Sequence, residues 1–147
     1  DLSSDVRSME INPAAGIYDT GELFTEEDLV PDTAKGYMNI PDGELPKFKE
    51  GPFAKFPDFR LAVRHWMAYN AGLGNQGNPE GNVSVSFTVG KDGKAKDAKV
   101  ENRETTSSEL EVAALYTIQR LPEFIPATQN GKPVAFRMTV ALRFENR

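Results

Sequence analysis

The stretch that decides the fold is GNVSVSFTVGKDG, at residues 81–93. Residues 82–89 alternate between polar and apolar side chains, which is typical of a strand with one buried face. The apolar residues of this strand are Val83, Val85, Phe87 and Val89. The Asp92-Gly93 pair is a common hairpin turn, so we predict a β-hairpin whose return strand buries Ala98 and Val100.

The longest alternation in the chain covers residues 134–144, after a second turn signal at Asn130-Gly131. One face would carry Val134, Phe136, Met138, Val140, Leu142 and Phe144, and the other Ala135, Arg137, Thr139, Ala141 and Arg143. An edge strand of this length is a template for adding another strand. The two arginines would equally suit protection of the edge against aggregation, and the pattern alone leaves both interpretations open.

Two amphipathic helices are predicted around the hairpin. The first follows Pro57 and ends near Gly72 and Gly74, with an apolar stripe of Phe59, Ala62, Val63, Trp66 and Tyr69. The second has capping-box spacing at Ser108 and Glu111 and ends at Pro122, with a stripe of Leu110, Ala114, Ile118 and Leu121. The order of elements predicts an α+β domain in which two helices cover one face of a small antiparallel sheet of three strands.

The N-terminal part of the chain differs in composition from the rest. Residues 1–50 hold 12 acidic and 4 basic side chains, a net charge of −8, whereas the remainder has a net charge of +3. Frequent proline and glycine leave room for only a short helix, near residues 26–29 with Thr25 as N-cap. We expect residues 1–56 to form an extended arm lying on, or leading into, the domain. A solvated tail without a special partner is the plainer interpretation.

The chain offers few groups for catalysis. It has no cysteine, which excludes thiolate chemistry, and His65 is its only histidine. Residues 72–77 read G-x-G-x-x-G, but this run follows a helix and precedes a strand, the reverse of a dinucleotide site. Lys91, Lys94, Lys96 and Lys99 surround the hairpin without interleaved aromatic residues, as in a solvated hairpin. We expect no catalytic, cofactor or metal residues, no enzymatic activity and no nucleic-acid binding.

Several segments together resemble the C-terminal domain of TonB, the energy transducer of Gram-negative cell envelopes. These are GNVSVSFTV at 81–89 with Asp92-Gly93, LPEFIPA at 121–127, and NGKPV at 130–134 leading into the last strand. Upstream, Leu45-Pro46-Lys47-Phe48 and Tyr69 are similar to segments that flank the first helix in Bacteroidetes members. The resemblance covers about residues 44–145, and residues 1–43 have no counterpart in it, so it implies an acidic arm at 1–43 and a domain at 44–147.

This resemblance implies a periplasmic binding module whose last strand pairs with the TonB box of outer-membrane transporters. The implied partner-strand site is Val134, Ala135, Phe136, Arg137, Met138, Thr139, Val140, Ala141, Leu142, Arg143 and Phe144. The same edge leaves a homodimer open, and a membrane contact is expected only through a tether outside residues 1–147. The alternative is a sensory or structural envelope protein that is not coupled to transport and whose arm covers the edge.

Overall fold

The structure is a computed structural model that describes residues 23–70 and 81–144. Its helices are α1 (Phe59–Asn70) and α2 (Ser108–Gln119), with 3-10 helices at Glu26–Asp28, Pro52–Lys55 and Arg103–Thr105. The strands before α1 are β1 (Leu23–Thr25), β2 (Val30–Asp32), β3 (Tyr37–Asn39), β4 (Gly43–Glu44) and β5 (Lys47–Phe48). The later strands are β6 (Gly81–Val89), β7 (Ala95–Val100), β8 (Phe124–Ile125), β9 (Ala127–Gln129) and β10 (Lys132–Phe144).

The main sheet has six strands in the described residues. Its order is β4-β9-β10-β6-β7, and β1 adds to β10 in parallel. β2 pairs with β3, and β5 pairs with β8, as separate two-stranded sheets. The predicted α+β class with two helices is therefore confirmed. The sheet is larger than the three strands expected, because very short strands from the arm and from the segment after α2 extend it without a long alternating pattern.

The predicted hairpin is present with the expected residues, and the predicted turn at Asn130-Gly131 forms a second hairpin with the unpredicted strand β9. The β6 residues Val83, Val85, Phe87 and Val89 and the β7 residues Ala98 and Val100 are all buried. Asn130 and Gly131 join β9 to β10 with φ of 54° and 78°, the left-handed pair that a two-residue hairpin turn requires. β10 then pairs with β6 along residues 136–144.

Helix α1 begins two residues later than Pro57, because the Asp58 side chain accepts the N–H of Arg60 at 2.9 Å and so caps the first turn. Phe59, Ala62 and Val63 are buried as predicted. Tyr69 is 76% exposed, so its assignment to the inward stripe was wrong, and Met67 is buried instead. The buried arc is centred between Phe59 and Val63, which places position 69 at its margin. The predicted stop at Gly72 and Gly74 lies outside the described residues.

Helix α2 packs against β6 and β7 and buries three of the four residues of the predicted stripe. The fourth, Leu121, follows the helix, which ends at Gln119, and is partly buried. Leu110, Ala114 and Ile118 are at most 2% exposed. The N-cap is Ser107, whose hydroxyl accepts the N–H of Leu110 at 3.1 Å, one residue before the Ser108 of the predicted capping box. Glu111 instead forms an ion pair at 3.0 Å with Arg103 while being almost fully buried.

Part of the predicted arm lies on the domain. Leu29 and Ile40 are buried in the same core as the two helices and the main sheet. The 3-10 helix at Glu26–Asp28 begins after Thr25, as predicted, and the Asp28 carboxylate accepts both the N–H and the hydroxyl of Thr25 at 3.1 Å. β4 pairs with β9, and β1 pairs with residues 135–137 of β10, so residues 23–44 contribute two short strands to the main sheet, both on the side of β10 opposite β6.

Candidate functional site: the outer edge of the last strand

The backbone of β10 has two sides, and they are occupied differently. One side pairs with β6 along almost its whole length. The other side, which we call the outer edge, pairs with β9 at residues 132–134 and with β1 at residues 135–137. The outer edge is thus covered over its first half by two short strands that run in opposite directions.

A side chain covers the next backbone group that faces the outer edge, at Thr139. The Glu26 carboxylate accepts a hydrogen bond from the backbone N–H of Thr139. The other oxygen of this carboxylate lies 2.8 Å from the Nε of Arg60 in α1. Glu26 therefore joins three elements: the end of the arm strand, the first turn of α1 and the outer edge of β10.

Beyond Thr139 no strand among residues 23–70 and 81–144 lies against the outer edge. Alternate residues of a strand direct their N–H and C=O groups to the same side, so Ala141 faces the same way as Thr139. No strand in the described part of the chain pairs with residues 139–142 on this side. We call residues 139–142 the open stretch. Its backbone is where a further strand adds without displacing another.

The side chains of β10 alternate largely as predicted. Val134, Phe136, Met138, Val140 and Leu142 are buried in the core. Thr139, Ala141 and Arg143 are exposed on the opposite face, whereas Ala135 on that face is fully buried. A strand added at the open stretch would therefore continue a sheet with one apolar face against the helices and one solvated face.

The solvated face of the sheet carries a polar cluster that sequence reasoning missed. The Arg137 guanidinium donates to the hydroxyls of Thr88 and Ser86 at 2.8 Å each and to the Asp97 carbonyl at 3.1 Å. The Ser86 hydroxyl in turn donates to the Glu101 carboxylate. Ser86 and Thr88 are only 2% and 0% exposed, although their strand positions predicted the solvated face.

The two arginines of β10 have different surroundings and therefore different roles. Arg137 lies directly opposite Thr88 across the β10–β6 pair and is held by hydroxyl and carbonyl oxygens. Arg143 is exposed and donates to the Asn82 side chain at 3.2 Å. Arg137 therefore belongs to the internal structure of the sheet, whereas Arg143 lies on the surface beside the open stretch. In the sequence, the sign of this cluster is an arginine on one strand opposite hydroxyl residues on another. It can be recognised only when the register between β6 and β10 is known.

The other candidate residues are placed apart from this edge. His65 is exposed, with its ring 4.9 Å from that of Phe56. Lys96 forms an ion pair at 3.2 Å with Asp92 in the hairpin turn. The G-x-G-x-x-G run at 72–77 lies outside the described residues. Within residues 23–70 and 81–144 there is no group of three or more potential metal ligands, and neither helix is long and apolar enough to cross a membrane.

The comparison with protein families agrees with this geometry. Residues 75–145, which include β6, β7, α2 and β10, match the sequence model of the family described as Gram-negative bacterial TonB protein C-terminal. This part of the chain belongs to the TonB C-terminal domain family. No curated protein and no solved structure matches the chain.

TonB C-terminal domains are protein-interaction domains of the Gram-negative cell envelope, and they are not enzymes. Members generally interact with outer-membrane transporters. The matched region begins after α1, so the upstream similarity at Leu45-Pro46-Lys47-Phe48 and Tyr69 stays a prediction. In this chain the family region contributes β6, β7, β10 and α2, whereas β1 and α1 come from residues that precede it.

Proposed function

We propose that this chain is the periplasmic binding module of a TonB-type energy-transduction system. In this proposal the outer edge of β10 pairs with the TonB box of outer-membrane transporters. The observation that supports it most directly is the open stretch at residues 139–142. This stretch lies inside the family region and has no neighbouring strand on its outer side among the described residues. The role is mechanical, so no substrate is turned over.

Backbone pairing suits a module that serves several transporters. In strand addition, main-chain hydrogen bonds supply most of the affinity and side chains add selectivity. The exposed side chains of the open stretch, Thr139 and Ala141, are small and impose little selection at these two positions. One domain can therefore accept extended peptides of different sequence. The module would be held to a membrane by a segment outside residues 1–147.

A titration tests the proposal. Isotope-labelled protein is titrated with TonB-box peptides, and amide shifts are followed by NMR. We expect the shifts to concentrate in Val134–Phe144, with the largest near Ala141, because pairing changes the environment of the outward backbone groups first. A peptide with proline at its centre is the control, since it cannot donate from that position. The absence of shifts at millimolar TonB-box peptide would contradict the proposal.

A pair of substitutions makes the test specific to the edge. Ala141→Pro removes an N–H that faces the outer edge, so it spares the hydrogen bonds to β6 and should abolish peptide binding in a folded protein. Ala141→Val keeps the N–H and changes only side-chain size, so binding should persist. Equal binding by the two variants would show that the peptide lies elsewhere. Their spectra without peptide report whether each remains folded.

The alternative function, an envelope domain not coupled to transport, is favoured by one specific observation. β1 of the arm already pairs with the outer edge at residues 135–137. If the arm covers the edge permanently, TonB-box peptides will not bind the whole chain. Removing residues 1–28 should then increase peptide binding or produce dimers through β10, which sedimentation measures. No change in either property would argue against this alternative.

A further inference from the structure

β1 occupies the outer edge in the manner of a bound peptide. It runs parallel to β10, with Leu23, Phe24 and Thr25 opposite Ala135, Phe136 and Arg137. It is only three residues long, and a 3-10 helix follows it at once. A strand so short contributes few backbone hydrogen bonds, so its side chains must supply much of what holds it in place.

Two side chains of this segment make the contacts. Phe24 is partly buried and packs against the core beneath the edge, whereas Leu23 is 45% exposed. Two residues later, Glu26 accepts the Thr139 N–H with one carboxylate oxygen and pairs with Arg60 through the other, at 2.8 Å. The outer edge thus offers an apolar contact for Phe24. Further along β10 it offers the Thr139 N–H, beside the Arg60 guanidinium, and both contact the same carboxylate.

We infer that β1 is a built-in ligand of the partner-strand site, and that it shows the chemistry of the strand that the site accepts. That strand is an extended peptide running parallel to β10, with an apolar residue at the Phe24 position and a carboxylate two residues after it. This inference rests on the proposed edge-binding function and adds the chemical class of the partner.

The requirement for a carboxylate in the partner follows from the groups that lose their contacts when β1 is displaced. When Glu26 moves away, the Thr139 N–H loses its acceptor and the Arg60 guanidinium loses its ion-pair partner, and a neutral peptide supplies no charge to restore the ion pair. A peptide that carries its own carboxylate restores both interactions. The arm also competes with a partner that occupies the β1 position at residues 135–139, since the apparent affinity of such a partner falls in proportion to the fraction of molecules in which this position is exposed.

The test uses the chain's own sequence as a probe. A fluorescent peptide GELFTEED, which reproduces residues 21–28, is titrated into the full chain and followed by anisotropy. The opened variant combines Phe24→Ala with Glu26→Ala, which removes both side-chain contacts of the arm. The matched control combines Leu23→Ala with Glu27→Ala, exposed neighbours in the same two elements. The NMR spectrum of each variant shows whether the core is intact.

We expect the probe to bind the opened variant at least about 10-fold more tightly than the wild-type chain or the matched control. Probes with alanine in place of phenylalanine, or glutamine in place of the glutamate two residues later, should bind the opened variant more weakly. Equal binding to all three proteins, or no binding to an opened variant with a native spectrum, would overturn the inference. Equal binding of GELFTEED and its two altered probes to the opened variant would also overturn the inference.

The outcomes also separate this inference from the proposed function. If TonB-box peptides bind the wild-type chain but the opened variant gains nothing for either peptide, the edge-binding function stands and the built-in ligand is refuted. If GELFTEED binds the opened variant while TonB-box peptides bind neither protein, the edge accepts strands of the β1 type and the transport role is refuted.

Discussion

The carboxylate of Glu26 accepts a hydrogen bond from the backbone N–H of Thr139, across 113 residues of sequence. The contact lies where β1 ends and the open stretch of β10 begins. One side chain therefore marks the boundary between the part of the outer edge that the arm covers and the part that it leaves accessible. Because the same carboxylate pairs with Arg60, the position of the arm is linked to that of α1.

Replacing Glu26 with alanine should loosen the edge locally. A hydrogen bond to a charged group contributes about 1.5–3 kcal/mol, so we expect the Thr139 amide to exchange with solvent roughly 10-fold faster or more. Global stability should fall by about 1–2 kcal/mol in urea unfolding, since the Glu26 side chain is partly solvated. The control, Glu27→Ala, removes an exposed carboxylate next to it and should stay within about 0.5 kcal/mol. Identical exchange of Thr139 in both variants would contradict the role of Glu26.

Replacing Arg137 with alanine should destabilise the sheet far more than the same change at Arg143. Arg137 supplies hydrogen bonds to Ser86 and Thr88, which are buried, so its loss leaves their hydroxyls poorly paired. We expect a loss of about 2–4 kcal/mol in the free energy of unfolding for Arg137→Ala. Arg143→Ala, on the exposed part of the strand, should cost less than about 1 kcal/mol. Urea unfolding measures both, and similar costs would show that the cluster contributes little.

Alanine at Gly93 should be much less tolerated than alanine at Gly131. Both glycines have positive φ, 83° and 78°, so both substitutions carry a backbone cost of about 1–2 kcal/mol. A Cβ at Gly93 would also lie 2.1 Å from the carbonyl oxygen of Phe124, whereas Gly131 has nothing within 4 Å. The Gly93 carbonyl accepts the Phe124 N–H at 2.7 Å, so the turn cannot shift without breaking that bond.

We therefore expect Gly93→Ala to lower the free energy of unfolding by at least about 2 kcal/mol more than Gly131→Ala does, since the displaced turn loses a backbone hydrogen bond as well. Thermal unfolding of the two variants checks this difference. Equal stabilities would mean that the turn and β8 can separate without cost.

The hairpin turn should show a small dependence of stability on pH through Asp92. Burial by itself raises the pKa of this carboxyl, but hydrogen bonds from the Lys94 N–H and the Lys96 ammonium, with the charge of Lys96, bring the pKa below its ordinary value. A lowered pKa means that the native state favours the charged form. The stabilisation is thus present above the unfolded-state pKa and disappears as the pH falls through the native one.

Asp92→Asn is the variant that isolates this effect. The wild-type chain should be slightly more stable than the variant at pH 6, and the difference should shrink as the pH falls below about 4. The group is largely solvated, so added salt should weaken the difference as well. Urea unfolding at several pH values measures it. A difference that grows on acidification would contradict the assigned direction of the pKa shift.

Much of the fold could be predicted because its signals are local. The alternation at Val83–Val89 needs only the side chains of one strand, and Asn130-Gly131 suits its turn because both residues tolerate positive φ. The apolar stripe of α2 follows from a helical period over Leu110, Ala114 and Ile118. Tyr69 was misplaced because the width of a buried helix face depends on what packs against it.

The candidate site was predictable only in part. The residues of β10 and their alternation follow from the sequence, and the family region includes them. The covering of the outer edge by β1 does not, since three residues carry no usable period. The burial of Ser86 and Thr88 beneath Arg137 depends on the register between β6 and β10, which no local pattern specifies.

By itself, the sequence determined the hairpin of β6 and β7, the turn at Asn130-Gly131, the two helices, the class of the fold and a long last strand with one apolar face. Those features depend on residues a few positions apart, where spacing and turn chemistry act directly. Only the tertiary structure decided which strand lies on each side of β10, and that Glu26 reaches Thr139 from the far end of the described chain. Such pairings join distant residues, and they are selected by the packing of the core and by the satisfaction of backbone groups at the edge.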